Sequence, residues 1–574
     1  MTKSINITIN GQKLTVPEGT TILAATKQMG IEIPTLCHLK DTNEIGVCRI
    51  CVVEVKGAKN LVPSCITKVT EGMEITTNSQ KARKAREMVM NLILATHPKD
   101  CLTCDRSADC ELRTLADKMG VRKIDFGAPV KDLPLDDSNP SIIRDSSKCI
   151  LCRRCVSVCN EVQKVSAIGM INRGIGTTVG TAFDRGLADS PCVFCGQCVS
   201  VCPTGALTER YNLREVWQAL NDPDKHVVIQ TAPAIRVSLG EELGEEPGTI
   251  VTGKMVGALR KVGFDKVFDT DFTADLTIME EGHEFLQRLT ENGKLPLITS
   301  CSPGWVKYVE TFYPEFLDNV SSCKSPQQMF GAIIKTYYAK KYNIDPAKIY
   351  AVSAMPCTAK KFEASRPEMN SSGYQDVDAV LTTRELGLLI KEAGIDWNSV
   401  EESQFDQPFG EGTGAGVIFG SSGGVMEAAL RTLSEVVTGK ELENLDFKVV
   451  RGLEGIKEAE VTLAGNKLRV AVANGLGNAQ KVLEGLKNKE LDYHFVEIMA
   501  CPGGCIGGGG QPRLSTPEKK QKRMEATYRA DLGLPRRKSH ENPAVQEIYK
   551  EFLEKPLGEK SHHLLHTCYT PREK

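Results

Sequence analysis

Short apolar runs and amphipathic stretches alternate along most of the chain, and they predict its elements. Residues 5–16 have the pattern of a strand, a turn and a second strand, and residues 20–30 follow with helical periodicity. Apolar positions at helical spacing over 79–98 predict an amphipathic helix. From 225 onward, apolar runs typical of strands alternate with helical segments, which indicates α/β organisation for the second half of the chain.

Three of the later apolar runs end directly in a cysteine. They are LPLITSC, IYAVSAMPC and YHFVEIMAC, and they end at Cys301, Cys357 and Cys501. In an open α/β sheet, ligands bind at the carboxyl ends of the strands. The placement of the three cysteines therefore indicates a ligand site.

The composition adds one strong bias, which is an excess of cysteine. The 574 residues include 21 Cys, and 71 basic residues nearly balance 73 acidic ones, for a net charge of −2. This balance offers no electrostatic footprint for nucleic acid or an anionic membrane surface. The first residues lack a secretion pattern, and no apolar run reaches the ~18–20 residues of a membrane span. We expect a thiol-rich cytoplasmic protein without disulfides.

The strongest local signal is an internal repeat between residues 149 and 202. Two runs share the spacing C-x2-C-x2-C-x3-C; they contain Cys149, Cys152, Cys155 and Cys159, then Cys192, Cys195, Cys198 and Cys202. In two-cluster ferredoxins, the fourth cysteine of each run ligates the cluster of the other run. We therefore predict one [4Fe–4S] cluster on the first three cysteines with Cys202, and a second on 192, 195 and 198 with Cys159.

Two further ligand sets precede the repeat. Cys37, Cys48, Cys51 and Cys65 suit a [2Fe–2S] cluster, because four thiolates lie on a long loop with one C-x-x-C pair; a structural zinc site and free cysteines are the alternatives. Cys101, Cys104 and Cys110 lack a fourth thiol nearby, and His97 stands four residues before the first of them. A lone histidine is more often structural, but here it predicts a His-ligated [4Fe–4S] cluster.

These four centres, in this order over 1–210, resemble two families. One is the N-terminal part of the large iron–sulfur subunit of respiratory complex I, and the other is the accessory region of iron-only hydrogenases. We predict a β-grasp [2Fe–2S] ferredoxin-like domain at 1–78, a [4Fe–4S] domain with one histidine and three cysteine ligands at 79–138, and a two-[4Fe–4S] ferredoxin-like domain at 139–210. A large α/β catalytic domain fills 211–574. The relay alone does not decide between the families.

Three segments of the C-terminal half decide it. TSCSPGW (299–305), MPCTAKKFEA (355–364) and EIMACPGGCIGGGGQP (497–512) are similar, in order, to the signature motifs of [FeFe]-hydrogenases. The resemblance extends from about 225 to the C-terminus and includes TIMEEGHEF (277–285), SPQQMFGA (325–332) and RKSHEN (537–542). It implies reversible H2 oxidation, H2 ⇌ 2H+ + 2e−, with electrons carried by the four clusters.

The resemblance also implies a cofactor, the H-cluster. Members of the family hold a [4Fe–4S] cubane on cysteines, and one cysteine bridges to a diiron subcluster with CO, cyanide and a dithiolate. By resemblance Cys505 is the bridging ligand, Cys357 and Cys501 are further ligands, and Lys360 donates to a cyanide. Residues that match those around the diiron unit are Pro233, Pro326, Gln327, Met355 and Met499. Taken singly, each methionine reads as core filler and the lysine as a surface charge.

The spacing of Cys501 and Cys505 also predicts the local backbone structure. Residues four apart at the start of a helix direct their side chains to one side. We therefore expect a helix start there, with both sulfurs facing the cofactor.

A proton route accompanies the cofactor in the family. The motif implies Cys301 as the first proton carrier, followed by Glu281, Ser321 and Glu284 toward solvent. Glu281 and Glu284 are three residues apart and hence neighbours on one helix face. Without the family, these glutamates read as an ordinary solvated face.

One position departs from the family pattern. The first motif usually has two adjacent cysteines, of which the second ligates the cubane, but here the second position is Ser302. Three solutions are open. Cys301 takes the ligand role, Ser302 ligates through oxygen, or Cys323 from SSCKSPQQ supplies the missing thiolate.

The partners follow from the resemblance as well. The chain is similar to the hydrogenase subunit of NAD(P)-linked, electron-bifurcating complexes, which implies a flavin-bearing diaphorase partner and a small [2Fe–2S] partner in a hetero-oligomer; a ferredoxin-linked enzyme is the alternative. Other classes remain as hypotheses. They are an electron-transfer subunit of a complex-I-like or formate dehydrogenase assembly, and a hydrogen sensor or cluster scaffold of low turnover.

Overall fold

A five-stranded mixed sheet opens the fold. The computed structural model describes residues 3–130, 132–442, 444–463 and 465–573. The first elements are β1 (Ser4–Ile9), β2 (Gln12–Pro17), α1 (Ile22–Gln28), β3 (Val52–Val55), β4 (Val62–Pro63) and β5 (Glu74–Thr76), with strand order β2-β1-β5-β3-β4. Alternate residues of β1, Ile5, Ile7 and Ile9, are buried in the core beneath α1. The apolar residues that alternate in the sequence therefore form the inward face of this sheet.

A long helix joins this sheet to the rest of the chain. It is α2 (Gln80–Thr96), and α3 (Glu111–Lys118) follows. Arg86 of α2 is buried, and its Nη2 donates to the carbonyls of Val52 and Thr77 at 2.7 Å each. These bonds fasten the predicted amphipathic helix to the sheet.

The repeat region folds as two small antiparallel ladders. Its elements are β6 (Ile142–Arg144), α4 (Arg154–Ser157), β7 (Gly169–Ile171), β8 (Thr178–Gly180), α5 (Gln197–Val201) and β9 (Leu207–Glu209), followed by α6 (Leu213–Leu220). Strand β6 pairs with β9, and β7 pairs with β8. Each C-x2-C-x2-C-x3-C run thus ends in a short helix packed on a common core.

Two four-stranded sheets form the centre of the C-terminal half. The strands are β10 (His226–Thr231), β11 (Lys266–Asp269), β12 (Leu297–Ile298), β13 (Ile349–Met355), β14 (Ala379–Thr382), β15 (Ile456–Leu463), β16 (Asn466–Asn474) and β17 (Phe495–Met499). One sheet has the order β11-β10-β13-β14 and is parallel throughout; the other has the order β12-β17-β16-β15, with β15 antiparallel to β16. This confirms the α/β organisation predicted from the alternating runs.

Helices cover both sheets. They are α7 (Leu239–Glu242), α8 (Thr252–Val262), α9 (Thr270–Thr290), α10 (Pro303–Phe312), α11 (Pro326–Ile333), α12 (Ala339–Tyr342), α13 (Ala359–Ala364), α14 (Thr383–Glu392), α15 (Gly414–Ile418), α16 (Gly424–Thr438), α17 (Leu476–Lys487), α18 (Pro517–Leu532), α19 (Pro543–Ile548) and α20 (Glu559–Leu565). The longest, α9, packs against α11, α15 and α16 and is buried over most of its length. Within the described ranges, no helix is both long enough and apolar enough to span a bilayer.

Candidate active site

A buried cavity of about 80 Å³ lies where strands from both sheets end. The segments after β10, β12, β13 and β17 supply Pro233, Cys301, Cys357 and Cys501 to its wall. Its lining also contains Ser302, Pro326, Gln327, Met355, Lys360, Met499 and Cys505. The structure thus brings the three cysteine-ended runs together, as expected for the carboxyl ends of strands.

Cys501 and Cys505 are presented by a glycine turn. Gly503 and Gly504 between them have φ of +89° and +85°, a conformation that favours glycine. A Cβ on Gly504 would stand 2.6 Å from the Ser422 nitrogen, so a side chain does not fit there. The expectation of a helix start was wrong, because Cys501 precedes this turn and Cys505 only begins a short 3-10 helix, Cys505–Gly507. The glycine turn, rather than helical periodicity, directs both sulfurs into the cavity.

The thiols that line the cavity fit an iron–sulfur group. Burial raises the pKa of Cys357 to about 11 and of Cys505 to about 12, and it raises the pKa of Cys501 well above the ordinary value. Three thiols with raised pKa values in one largely apolar cavity form a poor anionic site. They form a good site for a metal cluster, which displaces the protons and supplies the compensating positive charge.

The three candidates for the fourth cubane ligand lie in different places in the structure. Cys301 and Ser302 line the cavity, and the Ser302 hydroxyl accepts a hydrogen bond from the Ala500 nitrogen at 3.1 Å, beside Cys501. Cys323 is absent from the lining and packs instead against Glu284 and His566. The structure therefore does not bring Cys323 together with the other predicted cubane ligands, because its loop directs the thiol toward α9 rather than toward the cavity.

Lys360 is held over the cavity by a buried carboxylate. Its ammonium donates to the Cys301 carbonyl at 3.1 Å and to Oε2 of Glu363 at 2.9 Å. The same oxygen accepts from Ser325 and Gln327 at 2.8 and 3.0 Å. Glu363 was not among the predicted site residues, although it lies three residues after Lys360 on α13, a spacing that places both on one helix face.

A file of polar side chains leads from the cavity along α9. Glu281 is buried, and burial together with the charge of Glu284 raises its pKa to about 8. Ser321 lies beside it and donates to Oε2 of Glu284 at 2.7 Å, and Oε1 of that glutamate accepts from Arg288 at 2.6 Å. Burial and the nearby Glu281 raise the pKa of the Cys301 thiol well above its ordinary value. The reading as a solvated face was wrong for both glutamates.

The far end of this file opens to solvent. Glu284 and Arg288 line a cavity of about 830 Å³ that also contains His283, Ser322 and His562. Arg288 was not among the predicted residues; only its spacing of four from Glu284 hinted at the pair.

The repeat cysteines form two separate small cavities. One is lined by Cys149, Cys152, Cys155 and Cys202, and the other by Cys159, Cys192, Cys195 and Cys198. These are the crossed groupings that the spacing predicts. Cys195 also lines the 80 Å³ cavity of the C-terminal half. The repeat and the site therefore meet at this residue.

Close backbone contact seals this junction. A Cβ on Gly196 would stand 2.3 Å from Oγ1 of Thr358, and one on Gly509 would stand 2.1 Å from the Cys195 carbonyl. Thr358 in turn donates to the Phe194 carbonyl at 2.7 Å. The two glycines allow the relay and the site to touch.

The two N-terminal sets also converge. Sγ of Cys51 lies 3.3 Å from Sγ of Cys65, and a hydrogen bond from Cys37 lowers the pKa of Cys48. His97 lines one small cavity with Cys101, Cys104 and Cys110. Its Nδ1 is buried without a partner among the described residues, and burial lowers its pKa. A neutral imidazole with a free ring nitrogen fits a metal ligand.

Comparison with known families covers nearly the whole chain. Residues 225–509 match the iron-only hydrogenase large subunit, C-terminal domain, and 517–572 match the iron hydrogenase small subunit. Residues 2–80 match a 2Fe–2S iron–sulfur cluster binding domain. Residues 86–125 and 139–208 match the NADH-ubiquinone oxidoreductase-G iron–sulfur binding region and the ferredoxin-like domain of NADH-quinone oxidoreductase subunit 3.

Similar individual proteins agree with the family matches. The chain is 52% identical to the NADP-reducing hydrogenase subunit HndD of Solidesulfovibrio fructosivorans, over 99% of each chain. It is 44% identical to iron hydrogenase 1 of Clostridium pasteurianum, over 98% of this chain and 99% of that one. A solved structure of the [FeFe]-hydrogenase HydA(deltaEFG) is 46% identical, with a TM-score of 0.56, over 62% of this chain and 98% of that one.

Fold and site together define an iron–sulfur oxidoreductase in which a cluster relay ends at a thiol-lined cavity. Its redox substrate follows from the relatives at this level of identity. The chain belongs to the [FeFe]-hydrogenases, and it acts on H2.

Proposed function

We propose that the chain is the catalytic subunit of a hydrogenase complex that exchanges electrons between H2 and NAD(P) or ferredoxin. One observation supports electron transfer within the chain. Cys195 lines both the cavity of the catalytic half and the cavity of the nearer repeat cluster. Electrons can therefore pass from the site to the relay without leaving the protein.

The proposed cofactors are one [2Fe–2S] cluster, three [4Fe–4S] clusters and the H-cluster. The H-cluster, when bound, supplies the heterolytic cleavage of H2. Cys357, Cys501 and Cys505 would hold it, with Ser302 or Cys301 beside them. The unpartnered Nδ1 of His97 supports the imidazole as ligand of one [4Fe–4S] cluster. The domain boundaries at 78, 138 and 210 are proposed with these cofactors.

The chain's own residues position the cofactor and move the proton. Glu363 holds the Lys360 ammonium over the cavity, and the mostly apolar lining disfavours bulk water. Sγ of Cys301 exchanges a proton with Glu281, because a carboxyl whose pKa is raised to about 8 can take up and release a proton near neutral pH. Ser321 then passes the proton to Oε2 of Glu284, at the wall of the solvent cavity.

The partner proposal draws on the relatives. One relative is named as an NADP-reducing hydrogenase subunit, and the N-terminal regions match domains of NADH-linked complexes. We propose a flavin-bearing diaphorase and a small [2Fe–2S] protein as partners, with electron bifurcation as the coupling mode. We propose the cytoplasm, a reducing compartment, as the location of the chain, since the repeat cysteines gather into cluster-ligand sets.

The test is H2 uptake with methyl viologen on maturated protein, read beside its infrared spectrum. We expect CO and cyanide bands together with turnover. Absence of the bands would leave only an electron-transfer subunit. CO and cyanide bands with negligible turnover would favour a low-turnover hydrogen sensor. This is the second candidate function, because position 302 is a serine where the family pattern has a cysteine. For the partners, NADPH-dependent H2 formation with co-purified subunits is the measurement.

A further inference from the structure

Three buried side chains with different donor atoms meet beside the solvent end of α9. They are Glu284 on α9, Cys323 on the loop before α11, and His566 at the end of α20; their exposed fractions are 8%, 0% and 6%. Sγ of Cys323 lies 3.8 Å from Oε2 of Glu284 and 3.9 Å from Nδ1 of His566. Cys323 and His566 also pair as a β-bridge, so the backbone itself sets this separation.

These separations are those of a metal site. A tetrahedral zinc ion has metal–sulfur distances of about 2.3 Å and metal–nitrogen distances of about 2.0–2.1 Å, which place sulfur and nitrogen about 3.6 Å apart. The observed 3.8 and 3.9 Å lie within a few tenths of an ångström of that value. The three donor atoms also lie within 4.8 Å of one another.

The histidine is already oriented for metal binding. Its Nε2 lies 3.1 Å from Oε2 of Glu280, and Oε1 of that glutamate accepts from the Tyr549 hydroxyl at 2.5 Å. Because a carboxylate only accepts, the ring proton resides on Nε2 and the Nδ1 lone pair faces Cys323 and the Ser322 hydroxyl. A carboxylate behind the second nitrogen is the usual support of a metal-bound histidine.

The charges favour a divalent cation. The carboxylates of Glu280 and Glu284 lie beside the thiol, and Arg288 occupies only Oε1 of Glu284. A divalent ion with one thiolate, one carboxylate and one neutral imidazole forms a neutral group, which is the form that burial tolerates best. The adjoining solvent cavity can supply a water molecule as the fourth ligand.

We propose that Glu284, Cys323 and His566 bind a thiophilic divalent cation of the class of zinc, and that the bound ion closes the proton exit. Binding forms bonds from the metal to sulfur, oxygen and nitrogen; the thiol proton leaves to water in the cavity, and no atom changes oxidation state. The second half of the proposal rests on the proposed proton route. Oε2 of Glu284 accepts the bond from Ser321, so an ion on that oxygen occupies the last step.

The test uses the maturated holoenzyme and Zn2+ alone. Zinc per chain is measured after equilibration and desalting, and the zinc X-ray absorption edge reports the ligands independently of iron and of turnover. H2 uptake is measured with and without zinc, each variant against its own zinc-free rate. The variants are Cys323→Ala and His566→Gln, and Cys568→Ala is the matched control because that cysteine is exposed.

We expect one zinc per chain with a single sulfur neighbour at about 2.3 Å. Cys323→Ala should lose the sulfur signal and at least tenfold in zinc affinity, His566→Gln should lose affinity but keep the sulfur, and the control should match the parent. Turnover of the parent should fall with zinc and recover with chelator. A sulfur signal that survives Cys323→Ala, or no retained zinc in the parent, overturns the site. If zinc binds at this thiol and turnover is unchanged, the metal site stands, but the proposal that the ion closes the proton exit is wrong.

Discussion

The hydroxyl of Ser321 donates to Oε2 of Glu284 across 2.7 Å, and this bond joins the buried end of the polar file to its solvent end. Glu281 on the inner side has an oxygen without a hydrogen-bond partner among the described residues. In the proposed route the serine is the contact through which a proton passes between the two carboxylates. The proposed route depends on it.

Replacing Ser321 by alanine should slow turnover without disturbing the cofactor. Removal of a positioned proton carrier costs roughly 10²–10⁴-fold, so we expect Ser321→Ala to lower H2 uptake by at least ~100-fold with the CO and cyanide bands intact. The control is Ser322→Ala, because the Ser322 hydroxyl contacts His566 instead of the carboxylate. Equal losses in both variants would contradict the route.

The raised pKa of Glu281 predicts that the rates of H2 formation and H2 oxidation change with pH in opposite directions. Its pKa of about 8 keeps this carboxyl protonated at neutral pH. H2 formation needs the protonated form, so its rate should fall as pH rises through about 8. H2 oxidation needs the ionised form, so its rate should rise over the same range.

Initial rates from pH 6 to 10, with methyl viologen as donor or acceptor, check this prediction. Glu281→Gln carries no titrating group, so both pH dependences should vanish and the remaining rate should be at least ~100-fold lower. Identical pH profiles in the two directions of the parent enzyme would show that Glu281 does not carry the proton.

The cavity lining predicts which cysteines the cofactor needs. Cys357 lies in the wall of the cavity and Cys323 does not. Cys357→Ala should abolish the infrared bands, whereas Cys323→Ala should keep them together with the full iron content. Ser302→Cys should add a thiolate and shift the midpoint potential of the cubane. Loss of the bands in Cys323→Ala would restore that residue as a ligand.

The spacing of the cysteine motifs predicted much of the domain architecture, and the predictions that were wrong concern single positions. The repeat cysteines converge as the spacing predicts, since a C-x2-C-x2-C-x3-C run leaves few backbone paths. The position of Cys323 could not be predicted, because it depends on a β-bridge to His566, 243 positions along the chain. The turn at Cys501 escaped prediction because positive φ at two glycines outweighs the four-residue spacing.

The contact between relay and site makes Gly196 sensitive to substitution. A methyl group there meets Thr358, and the φ of +69° adds backbone strain. We expect Gly196→Ala to separate the two parts and slow the reduction of the relay clusters by H2, read by freeze-quench electron paramagnetic resonance. The control is Gly11→Ala, which has φ of +83° but open space, so it carries the strain without the clash. Equal rates in both variants would contradict the contact as the electron route.

The unpartnered ring nitrogen of His97 predicts the potential of its cluster. Imidazole ligation raises the potential of an iron–sulfur cluster relative to thiolate, since a neutral ligand leaves the cluster less negative. His97→Cys should therefore retain the iron and lower the midpoint of this cluster by on the order of 100 mV. The measurement is a redox titration followed by electron paramagnetic resonance, with His563→Cys, on the exposed face of α20, as control. A midpoint that does not move in His97→Cys would show that the imidazole is not a ligand, and the cavity would then need its fourth donor from elsewhere.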